Sequence, residues 1–124
     1  MSAKILVVDD EKDILELVSI ILAEEHITVL KAQDGLTALE LARKDKPDLI
    51  LLDIMMPEID GWEVLKILKI EEETKDIPVA MLTCKTETRD KVLGIQEGAA
   101  DYITKPFAPE DLIMRVRDIL SKKG

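Results

Sequence analysis

The chain has 124 residues, 47% of them hydrophobic and 35% charged, with a formal net charge of −9. Such a length is expected to form one domain, here residues 1–124, whose core needs no disulfide or metal staple, and the single cysteine, Cys84, excludes an internal disulfide framework. The acidity argues against direct contact with nucleic acid, whose affinity comes from neutralising cations, and it suits a cation or a basic protein surface.

Short apolar runs alternate with longer stretches of helical period, the pattern of repeated β-α units around a parallel sheet. Met1-Ser2-Ala3-Lys4 carries no apolar targeting region. The first strand, Ile5-Leu6-Val7-Val8, ends at Asp9-Asp10. Ile14, Leu17, Val18, Ile21 and Leu22 then mark one face of a helix. A second strand over 28–31 leads to a helix N-capped by Asp34, with Leu36, Leu39 and Ala42 inward and Pro47 beyond its end. The third strand, Leu49-Ile50-Leu51-Leu52, runs into Asp53 and a turn-rich loop over 55–61, followed by a helix carrying Val64, Leu65 and Leu68. A fourth strand over 79–82 precedes Thr83, and a further helix through Val92 and Leu93 closes at Gly98, which tolerates the left-handed conformation of a C′ residue. The fifth strand spans 101–104; Pro109 opens the last helix, with Leu112, Val116, Ile119 and Leu120 inward. No apolar run nears the ~18 residues that span a membrane, so a soluble cytoplasmic protein with no membrane partner is expected.

Strands covered on both faces and paired on both edges should be uniformly apolar. Runs one, three and four meet that test, which leaves two and five as edges. With right-handed crossovers the expected fold is α/β: a flavodoxin-like (βα)5 doubly wound parallel sheet of strand order 2-1-3-4-5. Ligands of such sheets bind beyond the carboxyl ends of the strands, between the first and third.

The polar residues at those ends are Asp9 and Asp10, Asp53, Thr83 and Lys105. Carboxylates ~4 Å apart repel by about 4 kcal/mol at an effective dielectric of ~20, so the cluster must hold a proton or a cation. An all-oxygen site with room for water suits Mg²⁺. Metal, lysine and hydroxyl together match phosphoryl transfer to a carboxylate, with Asp53 as the nucleophile. Singly, each residue has a plain structural use: Asp10 as an N-cap, Asp53 as a loop acid, Thr83 as a packing residue, Lys105 as a surface cation. Their joint placement at four strand ends carries the functional reading.

Val7-Val8-Asp9-Asp10-Glu11, Asp53-Ile54-Met55-Met56-Pro57, Gly61, Thr83-Cys84 and the stretch from Gly98 to Phe107 with Lys105-Pro106 resemble the receiver domain of two-component response regulators. The resemblance spans essentially the whole chain. It implies a phosphorylation-activated signalling switch whose Asp53 accepts a phosphoryl group from the phosphohistidine of a sensor histidine kinase or histidine phosphotransfer protein, the chain promoting its own phosphorylation and dephosphorylation without being a classical enzyme. Asp10 and Asp53 would ligate Mg²⁺ directly, Asp9 mostly through water, with the Met55 carbonyl as a further ligand; Thr83 and Lys105 would contact the phosphoryl group, and Lys105-Pro106 would be cis. Thr83 and Tyr102 would form the switch, which relays the change through the face of the fourth helix, fifth strand and fifth helix to a downstream effector protein or a dimer partner. Lys91, Asp101, Asp111 and Arg115 resemble the charged residues through which receivers of winged-helix transcription regulators pair, which implies a phosphorylation-dependent homodimer with Lys91–Asp111 and Asp101–Arg115 contacts between subunits.

Cys84 stands where the family usually has alanine. Met55 and Lys85, two residues beyond Asp53 and Thr83, border the path of attacking water in this family and predict a long-lived phosphoform. Trp62 reads as a packing residue able to report binding by fluorescence, and His26, far from the strand ends, does not read as a phosphorelay histidine. The rival reading is an aspartyl-nucleophile phosphohydrolase, which resembles a different pattern: Asp-x-Asp after the first strand and a cap over the substrate. The sequence ends one turn after the last apolar position, as a stand-alone receiver or as a piece of a longer regulator.

Overall fold

The computed structural model describes residues 3–83 and 98–123. Its elements are β1 (Lys4–Val8), α1 (Lys12–Ala23), β2 (Thr28–Ala32), α2 (Gly35–Asp45), β3 (Leu49–Asp53), α3 (Gly61–Ile70), β4 (Val79–Thr83), β5 (Asp101–Thr104) and, as α4, the last helix (Pro109–Lys123). The expected helix through Val92 and Leu93, with Cys84, Lys85 and Lys91, lies outside the described residues.

The five strands are parallel and ordered β2-β1-β3-β4-β5, the expected flavodoxin-like arrangement. Every residue of β3 and β4 is buried, whereas β2 and β5 are partly open, as edge strands should be. One sheet face packs against α1 and α4 through Leu15, Val18, Leu112 and Val116; the other packs against α2 and α3 through Leu39, Ala42, Leu65 and Leu68.

Two helix faces differ from the sequence reading. Leu17 and Leu36 are 45% and 60% exposed, and the buried residues of α1 are Leu15, Val18, Ile21 and Leu22. An i, i+3, i+4 stripe fixes a direction only to within a residue, so an apolar position at its margin can be left in solvent. Asp34 does cap α2, accepting the Thr37 N–H at 2.8 Å, and Lys46 ends that helix at a φ of 44° one residue before Pro47. Gly98 has a φ of +100°.

Gly61 decides the shape of the loop after β3. A Cβ there would lie 2.3 Å from the Asp53 carbonyl oxygen and 2.7 Å from the Ile54 Cα. Only a glycine lets the chain fold back onto the strand end, where its N–H meets the Ile54 carbonyl at 2.8 Å. Asp60 then caps α3 by accepting the Glu63 N–H. Gly61→Ala should cost about 2–3 kcal/mol, since backbone and not a pliable side chain must give way; urea denaturation checks it, and a loss below ~0.5 kcal/mol would mean the loop relaxes freely.

Candidate functional site: an acidic cluster with a buried lysine

β1, β3, β4 and β5 all end on the same edge of the sheet, so topology brings together residues far apart in sequence. Asp9 follows β1 and is fully buried; Asp53 and Thr83 are the final residues of β3 and β4 and are buried too; Lys105 follows β5. Asp10 is exposed. It does not cap α1, whose N-cap is Glu11 without a side-chain bond.

Asp9, Asp10 and Asp53 each offer a carboxylate oxygen within 4.8 Å of the others, the only such acidic group found among the described residues. The Lys105 ammonium, 2.7 Å from Asp9 Oδ2 and 3.5 Å from Asp53 Oδ1, supplies positive charge to this cluster. Asp9 Oδ1 accepts the Glu11 N–H at 2.9 Å. The three-carboxylate donor set, all oxygen and already balancing one cation, fits a small hard divalent ion. Glu11 lies 3.9 Å from the same ammonium. Sequence reading gave this residue no role; its place directly after the aspartate pair was the available signal.

Burial, then repulsion from Asp9, pushes the Asp53 carboxyl up to about 6 from its usual 3.8, with Asp10 adding to the rise and Lys105 and the Met55 N–H opposing it. Desolvation pulls Lys105 down, but its bond to Asp9 and the attraction of Asp53 and Glu11 outweigh that, and its pKa is raised. The Met55 side chain is exposed at the rim, where Asp10, Met55, Met56, Pro57, Asp60 and Trp62 line a groove of about 480 Å³. The Thr83 carbonyl accepts the Lys105 N–H at 2.6 Å, and the Lys105–Pro106 bond is cis.

The Tyr102 ring is buried beside Val79 and Met81. On the outer side of β5 and α4, Arg115 donates to both oxygens of Asp101, at 3.0 and 3.1 Å, and to Asp111 at 3.0 Å. The bond to Asp111, and then that to Asp101, raises the Arg115 pKa against desolvation. The Asp101–Arg115 contact expected between subunits is thus made within one chain, because both residues lie on adjacent elements of the same face. Lys91 lies outside the described residues.

Against known proteins, residues 5–117 match the response regulator receiver domain. This chain belongs to that family. As a receiver domain it is 48% identical to the alkaline phosphatase synthesis transcriptional regulatory protein PhoP of Bacillus subtilis, over 98% of this chain and 50% of that protein. The dual master transcriptional regulator RpaA of Synechocystis, named as DNA-binding, is 44% identical over 96% of this chain and 49% of its own. Among solved structures, the chemotaxis protein CheY4 of Vibrio cholerae superposes with a TM-score of 0.91 at 35% identity, covering 96% of this chain and 99% of that one. The chain spans about half the length of the curated relatives it matches. Those names give no support to the expectation, drawn from net charge alone, that nucleic acid is not a partner: net charge describes residues 1–124 only. No helix among the described residues is long and apolar enough to cross a membrane.

The raised Asp53 pKa has a definite sign. A carboxyl whose folded pKa exceeds its unfolded value makes stability fall as pH rises from about 4 through about 6. In chelator, Asp53→Asn should therefore stabilise the domain by about 1–3 kcal/mol at pH 8, with the difference vanishing below pH ~4. Denaturation at both pH values checks it, and an unchanged difference would remove burial as the cause.

Proposed function

We propose that residues 1–124 form one receiver domain that works as a phosphorylation-activated switch, with Asp53 as acceptor. The observation that carries this reading is the Lys105 ammonium bridging Asp9 and Asp53 at the sheet's C-terminal edge. A buried carboxylate beside a fixed cation is suited to attack phosphorus, because the lysine neutralises charge on the transferring oxygens. The Asp53 oxygen attacks the phosphorus of a phosphohistidine, the new P–O bond replaces the P–N bond, and the imidazole leaves. Thr83, buried at the end of β4, would donate its hydroxyl to one phosphoryl oxygen.

Asp9, Asp10 and Asp53, with the Met55 carbonyl, would hold Mg²⁺. When bound, the ion would neutralise negative charge on the acceptor carboxylate and the phosphoryl oxygens. Lys105 would contact the phosphoryl group, and the chain's own residues would promote both its gain and its loss. Thr83 and Tyr102 would pass the change to the face of β5 and α4 as a charge event biasing a packed element. The partners on this reading are a sensor histidine kinase or histidine phosphotransfer protein and a downstream effector, in the cytoplasm.

Incubation with a small acyl-phosphate donor and Mg²⁺ should load one acid-labile phosphoryl group per chain by intact mass, and Asp53→Asn should take none. With Met55 at the rim, the isolated phosphoprotein should persist for minutes or longer; decay within seconds would contradict that. Steady turnover of a small phosphate ester would instead favour a phosphohydrolase.

The same reading makes the outer face of β5 and α4 a surface for homodimer pairing. Lys91, Asp101, Asp111 and Arg115 would exchange partners between subunits, contacts worth about 0–1 kcal/mol each that set register more than affinity. Sedimentation with a phosphoryl mimic should show a doubled mass that Arg115→Ala reduces; an unchanged mass would reject phosphorylation-driven pairing.

A further inference from the structure

We propose that the Met55 thioether is an oxidation site through which hydrogen peroxide shortens the life of the phosphorylated chain. The proposal rests on the receiver reading above and concerns its regulation. Of the five methionines in the sequence, Met81 and Met56 are buried, at 0% and 8% exposure, whereas Met55 and Met114 are 58% and 63% exposed. A thioether is oxidised where solvent carries the oxidant to it, so among the described residues Met55 and Met114 are the open sulfur sites. Met114 lies on the outer face of α4 with Asp111 and Arg115. Met55 stands beside the acceptor.

Its backbone N–H bonds the Asp53 carboxyl. Its side chain lines the same groove as Asp10 and Trp62, and Asp10 has an oxygen within 4.8 Å of one on Asp53. The groove thus opens next to an acceptor whose own side chain is only 6% exposed. Water that reaches a phosphoryl group on Asp53 from this side passes the Met55 side chain, and a thioether is too weak an acceptor to hold it there. Oxidation reverses that property. The O–O bond of the peroxide breaks, one oxygen forms an S–O bond on Met55, the other leaves as water, and the sulfur loses the two electrons that the peroxide gains. The sulfoxide is polar, and its oxygen holds water at the rim. That water attacks phosphorus, the P–O bond to Asp53 breaks, the carboxylate and inorganic phosphate separate, and the proton passes to solvent.

A simpler account is that peroxide acts elsewhere on the chain. Cys84 adjoins Thr83 in the sequence and is the one thiol, and Met114 is as exposed as Met55. The accounts differ in which side chain the effect follows. Removing Cys84 and Met114 abolishes it if they carry it, and leaves it whole if Met55 does.

The Cys84→Ala chain, untreated or treated with hydrogen peroxide, is loaded from a small acyl-phosphate donor with Mg²⁺, freed of donor, and followed by intact mass as the phosphoryl group is lost. Cys84→Ser replaces it if the Ala variant loses its circular dichroism. Peptide mapping should find one added oxygen on Met55, and the half-life should fall roughly 3- to 10-fold, what one hydrogen bond to the attacking water is worth. Methionine sulfoxide reductases acting on both epimers should restore it. Adding Met114→Leu should keep the sensitivity to peroxide, and adding Met55→Leu should abolish it. A half-life unchanged when Met55 is oxidised, a Met55 that peroxide leaves intact, or a loss that persists in Met55→Leu overturns the proposal. An untreated chain that takes up no phosphoryl group, or takes it up equally as Asp53→Asn, overturns the receiver reading and the proposal with it.

Discussion

The Lys105 ammonium held between Asp9 and Asp53 is the interaction on which the rest of the site depends. Asp9 is fully buried and Asp53 nearly so, and buried carboxylates are tolerated only when paired or hydrogen-bonded. Asp9 has both kinds of support, from Lys105 and the Glu11 N–H. Burial and then repulsion from Asp9 raise the Asp53 pKa to about 6, and the more distant ammonium that it shares with Asp9 offsets them only in part. The fold thus keeps one carboxylate quenched and leaves its neighbour short of positive charge, the condition under which a divalent ion would be attracted.

That arrangement is possible because the sheet around it is uncompromisingly apolar. β3 and β4 are buried throughout, and the helices close over both faces. Polar groups accumulate at the carboxyl ends because, in a parallel sheet, those are the places where strands stop and backbone turns toward solvent. Gly61 adds the local constraint, bringing the loop against the Asp53 backbone. The start of α3 is thereby fixed relative to the end of β3.

Charge on the outer face of β5 and α4 obeys a different economy. Arg115 already satisfies Asp101 and Asp111 within the chain. Exchange of such half-exposed pairs with a second copy changes the identity of the partner more than the number of contacts. Affinity in a dimer would then come from surrounding apolar surface, such as the exposed Met114, with the ion pairs selecting register.

The amino-acid sequence by itself determined the strand order, the central and edge strands, and the residues at each strand end, because periodicity and apolar runs are local signals. The Asp34 cap and the inward set Val64, Leu65 and Leu68 were legible for the same reason. Placement at the strand ends, and then the family resemblance, pointed to Asp9, Asp10, Asp53, Thr83 and Lys105 as a group, but not to which of them touch. Only the tertiary structure decided that Lys105, separated from Asp9 by 96 positions, bonds Asp9 more closely than Asp53, that Glu11 flanks the ammonium, that Arg115 closes on its own chain, and that Leu17 and Leu36 face solvent. Local pattern places a residue along its element; the distance between groups on different elements is set by how the elements pack.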